Sequence, residues 1–167
     1  MELSFTKMQG TGNDFVVIDA TKKPFSLSTD TIRSLADRRY GIGFDQMLVV
    51  QPDETGQADF CYRIFNADGG EVAMCGNGAR CFALYVRSHG LTQKDRIRVR
   101  TMSGIITPEI LSDRTVRVDM GCPNFCPKNV PFNPESFESV SRKDAVLYRT
   151  KVSGISFAFG VVSMGNP

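Results

Sequence analysis

Residues 65–87 read Phe-Asn-Ala-Asp-Gly-Gly-Glu-Val-Ala-Met-Cys-Gly-Asn-Gly-Ala-Arg-Cys-Phe-Ala-Leu-Tyr-Val-Arg. They hold the residue in this chain best suited to carry a proton or attack carbon, the thiol of Cys75. Ala79, Phe82, Ala83 and Val86 fall at i, i+3, i+4 and i+7, which predicts a helix with one apolar face. Gly90 is its natural C′ residue. Cys75 is therefore expected at the start of that helix, facing backbone N–H groups that have no partner within it. Such an environment favours anions, thiolates included. The glycine-lined Gly76-Asn77-Gly78 segment also lets a carboxylate approach the backbone closely. Thiolate and carboxylate cradle together point to chemistry on an acid.

The remaining residues narrow what the thiol does. Cysteine-nucleophile chemistry needs a histidine partner, and the single histidine, His89, stands at the far end of the same helix. No Cys-x-x-Cys pair is present for redox work. Cys81 lies six residues on, on another helix face, and is expected in the core, as is Cys61. Cys122 and Cys126 have a Cys-x3-Cys spacing but no second Cys or His pair, so no metal site is expected. A thiolate acting as a base is what remains. Asn13, in the turn Gly10-Thr11-Gly12-Asn13-Asp14, offers an amide that could bind a ligand. A Rossmann reading of that turn fails, because Phe15 replaces the third glycine and a strand follows.

The elements that must position these groups are legible in outline. Strands are expected over 1–8, 15–18, 47–50, 59–65, 97–101, 104–110 and 116–120, with a first helix over 28–38 capped by Ser28. Arg38 and Arg39 then fall at its C-terminus, where the helix dipole explains them. Strands joined by short turns, with only two helices, indicate a largely antiparallel α+β domain. The proline-rich passage from Gly121 to Pro134 reads as a crossing between domains, giving a first domain over 1–120 and an incomplete second over 121–167. The latter, with strands expected near 149–152 and 157–164, is too short for a core of its own.

The chain has 167 residues, 41% hydrophobic and 23% charged, the texture of a soluble globular protein. A net charge of +2 argues against a nucleic-acid partner, and Arg96, Arg98 and Arg100 read as a solvated strand face. Neither a signal peptide nor a run of about 18 apolar residues is found, so no membrane partner is expected. Five cysteines, an odd count, suggest reduced thiols in a cytoplasmic protein.

Four stretches, 10–15, 38–46, 65–81 and 162–167, resemble diaminopimelate epimerase, in order along the whole chain. The Cys75-Gly76-Asn77-Gly78-Ala79-Arg80 motif after Asn66-Ala67-Asp68-Gly69 carries the resemblance most specifically. It implies an isomerase of lysine and peptidoglycan biosynthesis that interconverts LL- and meso-2,6-diaminopimelate without pyridoxal phosphate, any other cofactor or metal. The implied fold has two similar halves, each a curved mixed sheet wrapped around a central helix, in a homodimeric protein. The implied mechanism uses two opposed cysteines, of which Cys75 matches the first. Gly76 and Asn77 match the backbone donors to the α-carboxylate, Asn13, Asn66 and Asn166 match side chains holding the substrate's amino and carboxylate groups, and Gln46 lines the site. The family's second cysteine and its Glu-Arg pair have no counterpart here, and the motif at Gly165-Asn166-Pro167 is cut short. The 167 residues alone are thus expected to be inactive, within a full protein that is an epimerase. A proline-type racemase using the same cysteine logic, a catalytically dead binding module and a thiol-dependent redox protein are the alternatives.

Overall fold

A computed structural model describes residues 2–143 and 145–164. The chain divides into two compact units, Met1–Asp119 and Met120–Pro167. Among the described residues, the first unit is built on one seven-stranded sheet and two α-helices.

The hairpin β1 (Thr6–Gly10) and β2 (Asn13–Asp19) opens the chain. Its two-residue turn has φ of 54° at Thr11 and 91° at Gly12. Positive φ at both positions is the tight hairpin geometry that matches strand twist. Helix α1 (Thr29–Ala36) follows, then β3 (Gln46–Pro52), β4 (Phe60–Asn66), the short β5 (Glu71–Val72) and helix α2 (Gly76–Ser88). After these come β6 (Val99–Thr101), β7 (Gly104–Ile106), β8 (Glu109–Ile110) and β9 (Val116–Arg117). The sheet runs β1-β2-β3-β4-β6-β7, with β5 paired to β4. β2 is parallel to β3, and β4 to β6; the other pairs are antiparallel. Each parallel pair needs a long crossover, and each crossover contains a helix.

The helices lie on opposite faces, which explains why β2 and β3 read as unbroken apolar runs. Phe15 through Ile18 and Met47 through Val50 are buried on both sides. On one face Phe15, Val17, Leu48, Val50, Tyr62 and Ile64 pack against Ala79, Phe82, Ala83 and Val86 of α2. On the other, Val16, Ile18, Met47, Val49 and Phe65 pack against Ile32 and Ala36 of α1. Ile110, Val116 and Val118 from the β8–β9 ribbon close over α2 as well, so this helix is central to a mixed α+β fold.

Several boundaries depart from expectation. The first strand begins at Thr6, and the strand expected over 104–110 is two pieces, β7 and β8. Pro108 interrupts it, because proline cannot donate to a ladder. Cys61 is half-buried beside Arg100 and Gln51, outside either core, since its odd position turns it from the α2 face. Helix α1 stops at Ala36, capped by Ser28, whose hydroxyl accepts from the Thr31 N–H at 3.2 Å. Arg38 has therefore left the helix, and it pairs with carboxylates instead of the helix dipole.

The second unit holds a three-stranded antiparallel sheet, β10 (Glu138–Arg142), β11 (Ala145–Val152) and β12 (Ile155–Phe159). Tyr148 is its only buried residue among those described, set in an aromatic cluster with Phe132, Phe137 and Phe159. β10 was not legible in sequence, because all five of its residues are exposed and it lacks an apolar alternation.

Candidate active site

Strand parity and register bring three amides to one place. Phe15 of β2 pairs with Gln46 of β3, and Gln46 pairs with Asn66 of β4. Side chains two apart on a strand share a face, so Asn13, Gln46 and Asn66 lie on the α2 side of the sheet with Phe15, Leu48 and Ile64. They sit at the sheet end where β2 and β3 begin and β4 finishes. Asn77 of α2 donates its Nδ2 to Asn13 Oδ1 at 2.7 Å, which ties the start of α2 to that end.

Cys75 is the N-cap of α2, with extended backbone (φ −148°, ψ 110°) and 9% exposure. Its Sγ accepts from the Gly78 N–H at 3.3 Å, and its carbonyl accepts from the Ala79 N–H at 2.8 Å. Among the described residues, the N–H groups of Gly76 and Asn77 have no partner. These are the two donors a helix start offers to an anion.

A polar chain fixes how the amides face. Asn13 Nδ2 donates to Asp45 Oδ2 at 3.2 Å, so its oxygen must turn to Asn77. Asn77 Oδ1 in turn accepts from Arg80, whose guanidinium also reaches Thr11 Oγ1 at 2.8 Å. Each amide is left with one uncommitted N–H. Asp45 is itself held by Arg38 at 2.8 Å, and Arg38 forks onto Asp14 at 3.0 and 2.8 Å. Lys7 completes this cluster, 3.0 Å from Asp14. The Arg38 guanidinium, with Lys7 beside it, holds the Asp14 carboxyl well below the usual carboxylate range, against an opposing effect of burial.

The other side of the site offers an acceptor. Gln46 Nε2 donates to Asn66 Oδ1 at 2.8 Å, while Gln46 Oε1 is buried with no partner among the described residues. The turn after Asn66 is closed by Gly69 N–H to Asn66 O at 2.8 Å, with Gly69 at φ +83°. The unpaired donors at the helix start suit the carboxylate of an acid.

Cys75, Gly76, Asn77, Asn13, Gln46 and Asn66 are thus gathered at one end of the sheet. Asn166 lies outside the described residues. Cys81 is in the core, where burial pushes its thiol upward. Cys122 and Cys126 are exposed, and His89 caps the far end of α2, stacked on Tyr85 at 4.0 Å. Among the described residues, no group of three or more His, Cys, Asp or Glu side chains is placed to hold a metal ion. No helix among them is long and apolar enough to cross a membrane. Sequence reasoning named Asp45, Arg80 and Thr11 only as members of the matching stretches; that they orient the amides was missed, because the Asn13–Asp45 and Arg80–Thr11 contacts join positions far apart in the chain.

The family model described as diaminopimelate epimerase matches residues 5–126. A diaminopimelate epimerase of Nitrosomonas europaea is 54% identical over the whole of this chain, and one of Laribacter hongkongensis is 52% identical. The chain spans 58% of the length of each. Among solved structures, a probable proline racemase from Agrobacterium radiobacter superposes on 94% of this chain and 51% of its own, with a TM-score of 0.55. At 14% sequence identity that likeness concerns the fold alone.

Proposed function

The chain belongs to the diaminopimelate epimerase family, and from that premise we propose that it supplies the first catalytic half of an enzyme interconverting LL- and meso-2,6-diaminopimelate. One observation carries the reading: the Cys75 thiol stands beside two free helix-start N–H groups, on the sheet face that also presents the orphaned acceptor Gln46 Oε1. The α-carboxylate of an amino acid would lie against the Gly76 and Asn77 N–H groups and the spare N–H of Asn13. Those fixed donors take up charge as the α-proton leaves. The Cys75 thiolate removes or returns that proton on one face of the α-carbon. An opposing proton carrier acts from the other face, in the remaining length of the full protein.

On this reading residues 1–120 form the first half and 121–167 begin the second. The reading makes the full-length protein a cytoplasmic homodimer of lysine and peptidoglycan synthesis, and it requires neither pyridoxal phosphate nor metal. The test is exchange of the substrate α-proton in D₂O by the full-length protein, followed by NMR. LL-diaminopimelate should exchange and epimerise, and Cys75→Ser should slow both by about 100-fold or more. Turnover of proline in place of diaminopimelate, or full activity of C75S, refutes the proposal.

A further inference from the structure

The hydroxyl of Tyr62 is buried, the residue being only 2% exposed, and has no hydrogen-bond partner among the described residues. Tyr62 stands on β4 two residues from Ile64 and four from Asn66, on the face that carries the amides. Its ring rests on Phe82 with centroids 4.7 Å apart, which fixes where the hydroxyl goes. It ends under the first turn of α2. A Cβ placed on Gly78 would lie 2.3 Å from Tyr62 Oη and 3.5 Å from Cys75 Cβ, with Leu48 Cδ2 at 3.2 Å. Glycine at 78 is what lets the phenol and the Cys75 side chain meet around one α-carbon. The same Gly78 donates its N–H to Cys75 Sγ.

A buried hydroxyl without a partner is costly, and a phenylalanine would fill the same space without that cost. A retained cost of this kind marks a group needed in another state. We infer that Tyr62 is a positioning residue for Cys75, whose phenol O–H donates to the Cys75 sulfur when that sulfur carries charge. The inference rests on Cys75 being the reacting thiol. Two things keep Tyr62 a donor. Burial, reinforced by the neighbouring Cys75 and Cys81 thiols, pushes its phenol well above the ordinary tyrosine range. Leu48, Gly78 and Phe82, packed around its ring and hydroxyl, offer no side-chain acceptor, which leaves the neighbouring sulfurs of Cys75 and Cys81.

The test uses the full-length protein and iodoacetamide, with alkylation at Cys75 read by peptide mass spectrometry across pH. Y62F should slow Cys75 alkylation at neutral pH by about ten-fold, the worth of one hydrogen bond to a charged group, and move the profile to higher pH. Its melting temperature should be unchanged or higher. An unaltered alkylation profile overturns the proposal, as does a lowered melting temperature that accounts for the loss. Gly78→Ala provides the second arm. It should lower the melting temperature in the native background and much less in Y62F, because the clash at Tyr62 Oη is gone; equal losses in both overturn the proposed contact. Alkylation needs no substrate, so failure of the epimerase assignment leaves these readouts standing.

Discussion

Asn13→Asp isolates the orienting role of the polar chain, because it changes one donor into an acceptor and little else. Asn13 accepts from Asn77 at 2.7 Å, and a carboxylate oxygen can do the same. The other contact inverts, since Asn13 Nδ2 now donates to Asp45 Oδ2 at 3.2 Å and the variant sets two carboxylates against each other. Two unit charges at that separation repel by about 5 kcal/mol at an effective dielectric of about 20, and by about 1 kcal/mol in bulk water. Asn13 is half-buried, so an intermediate value of about 2–3 kcal/mol applies, or about 30- to 150-fold in substrate binding. On the proposed reading the variant also loses its N–H toward the substrate carboxylate and faces it with charge. Asn13→Ala loses both hydrogen bonds but adds no repulsion, so N13D should have the higher KM. The assay is α-proton exchange by the full-length protein, with KM and kcat resolved for each variant. An N13D enzyme no worse than N13A refutes the orienting role of Asp45.

Two further outcomes follow from the frame. Gly69→Ala should destabilise the protein by about 2–4 kcal/mol in urea unfolding. Gly69 sits at φ +83°, and a Cβ there would lie 2.6 and 2.7 Å from Thr29 Cγ2 and Thr29 O; an effect below about 0.5 kcal/mol contradicts that geometry. Asp14, whose folded-state carboxyl is held low by Arg38 and then Lys7, contributes stability present above its unfolded value of about 3.9 and lost as pH falls through the folded value. Asp14→Asn should therefore lower the melting temperature at pH 7, and the gap should narrow on acidification below about pH 4; a gap that is constant with pH refutes the pairing.

What the sequence revealed depended on how local each signal is. Helix α2 and its cysteine start were legible because a 3.6-residue apolar period and flanking glycines lie within one window. β2 and β3 were legible as buried runs. The convergence of Asn13, Gln46 and Asn66 was not, because it needs the pairing of Phe15 with Gln46 and of Gln46 with Asn66 across long separations. Family resemblance named those amides without explaining their orientation. Arg38 was misplaced because helical propensity runs past Ala36, whereas Asp14 and Asp45, 24 and 7 residues away, draw its side chain elsewhere. Tyr62 had no signal at all: in sequence it is one more alternating aromatic, and only the close approach at Gly78 exposes its hydroxyl as unpaired.

The choice of cysteine at position 75 is itself informative once the N–H groups of α2 are assigned. An N-cap is best filled by Ser, Thr, Asp or Asn, whose oxygens are stronger acceptors than a thiol sulfur. Capping alone therefore argues against cysteine, by on the order of 1 kcal/mol. Yet Cys75 occupies the cap and accepts from Gly78, while the N–H groups of Gly76 and Asn77 stay free. An aspartate would cap better but would bring a permanent charge next to any incoming carboxylate. A serine would spare that charge but could not become an anion near neutral pH. Cysteine is a side chain that caps a helix without a permanent charge, and thiols as a class ionise far more readily than hydroxyls. That combination fits the proposed role of Cys75 as a proton carrier beside a carboxylate site.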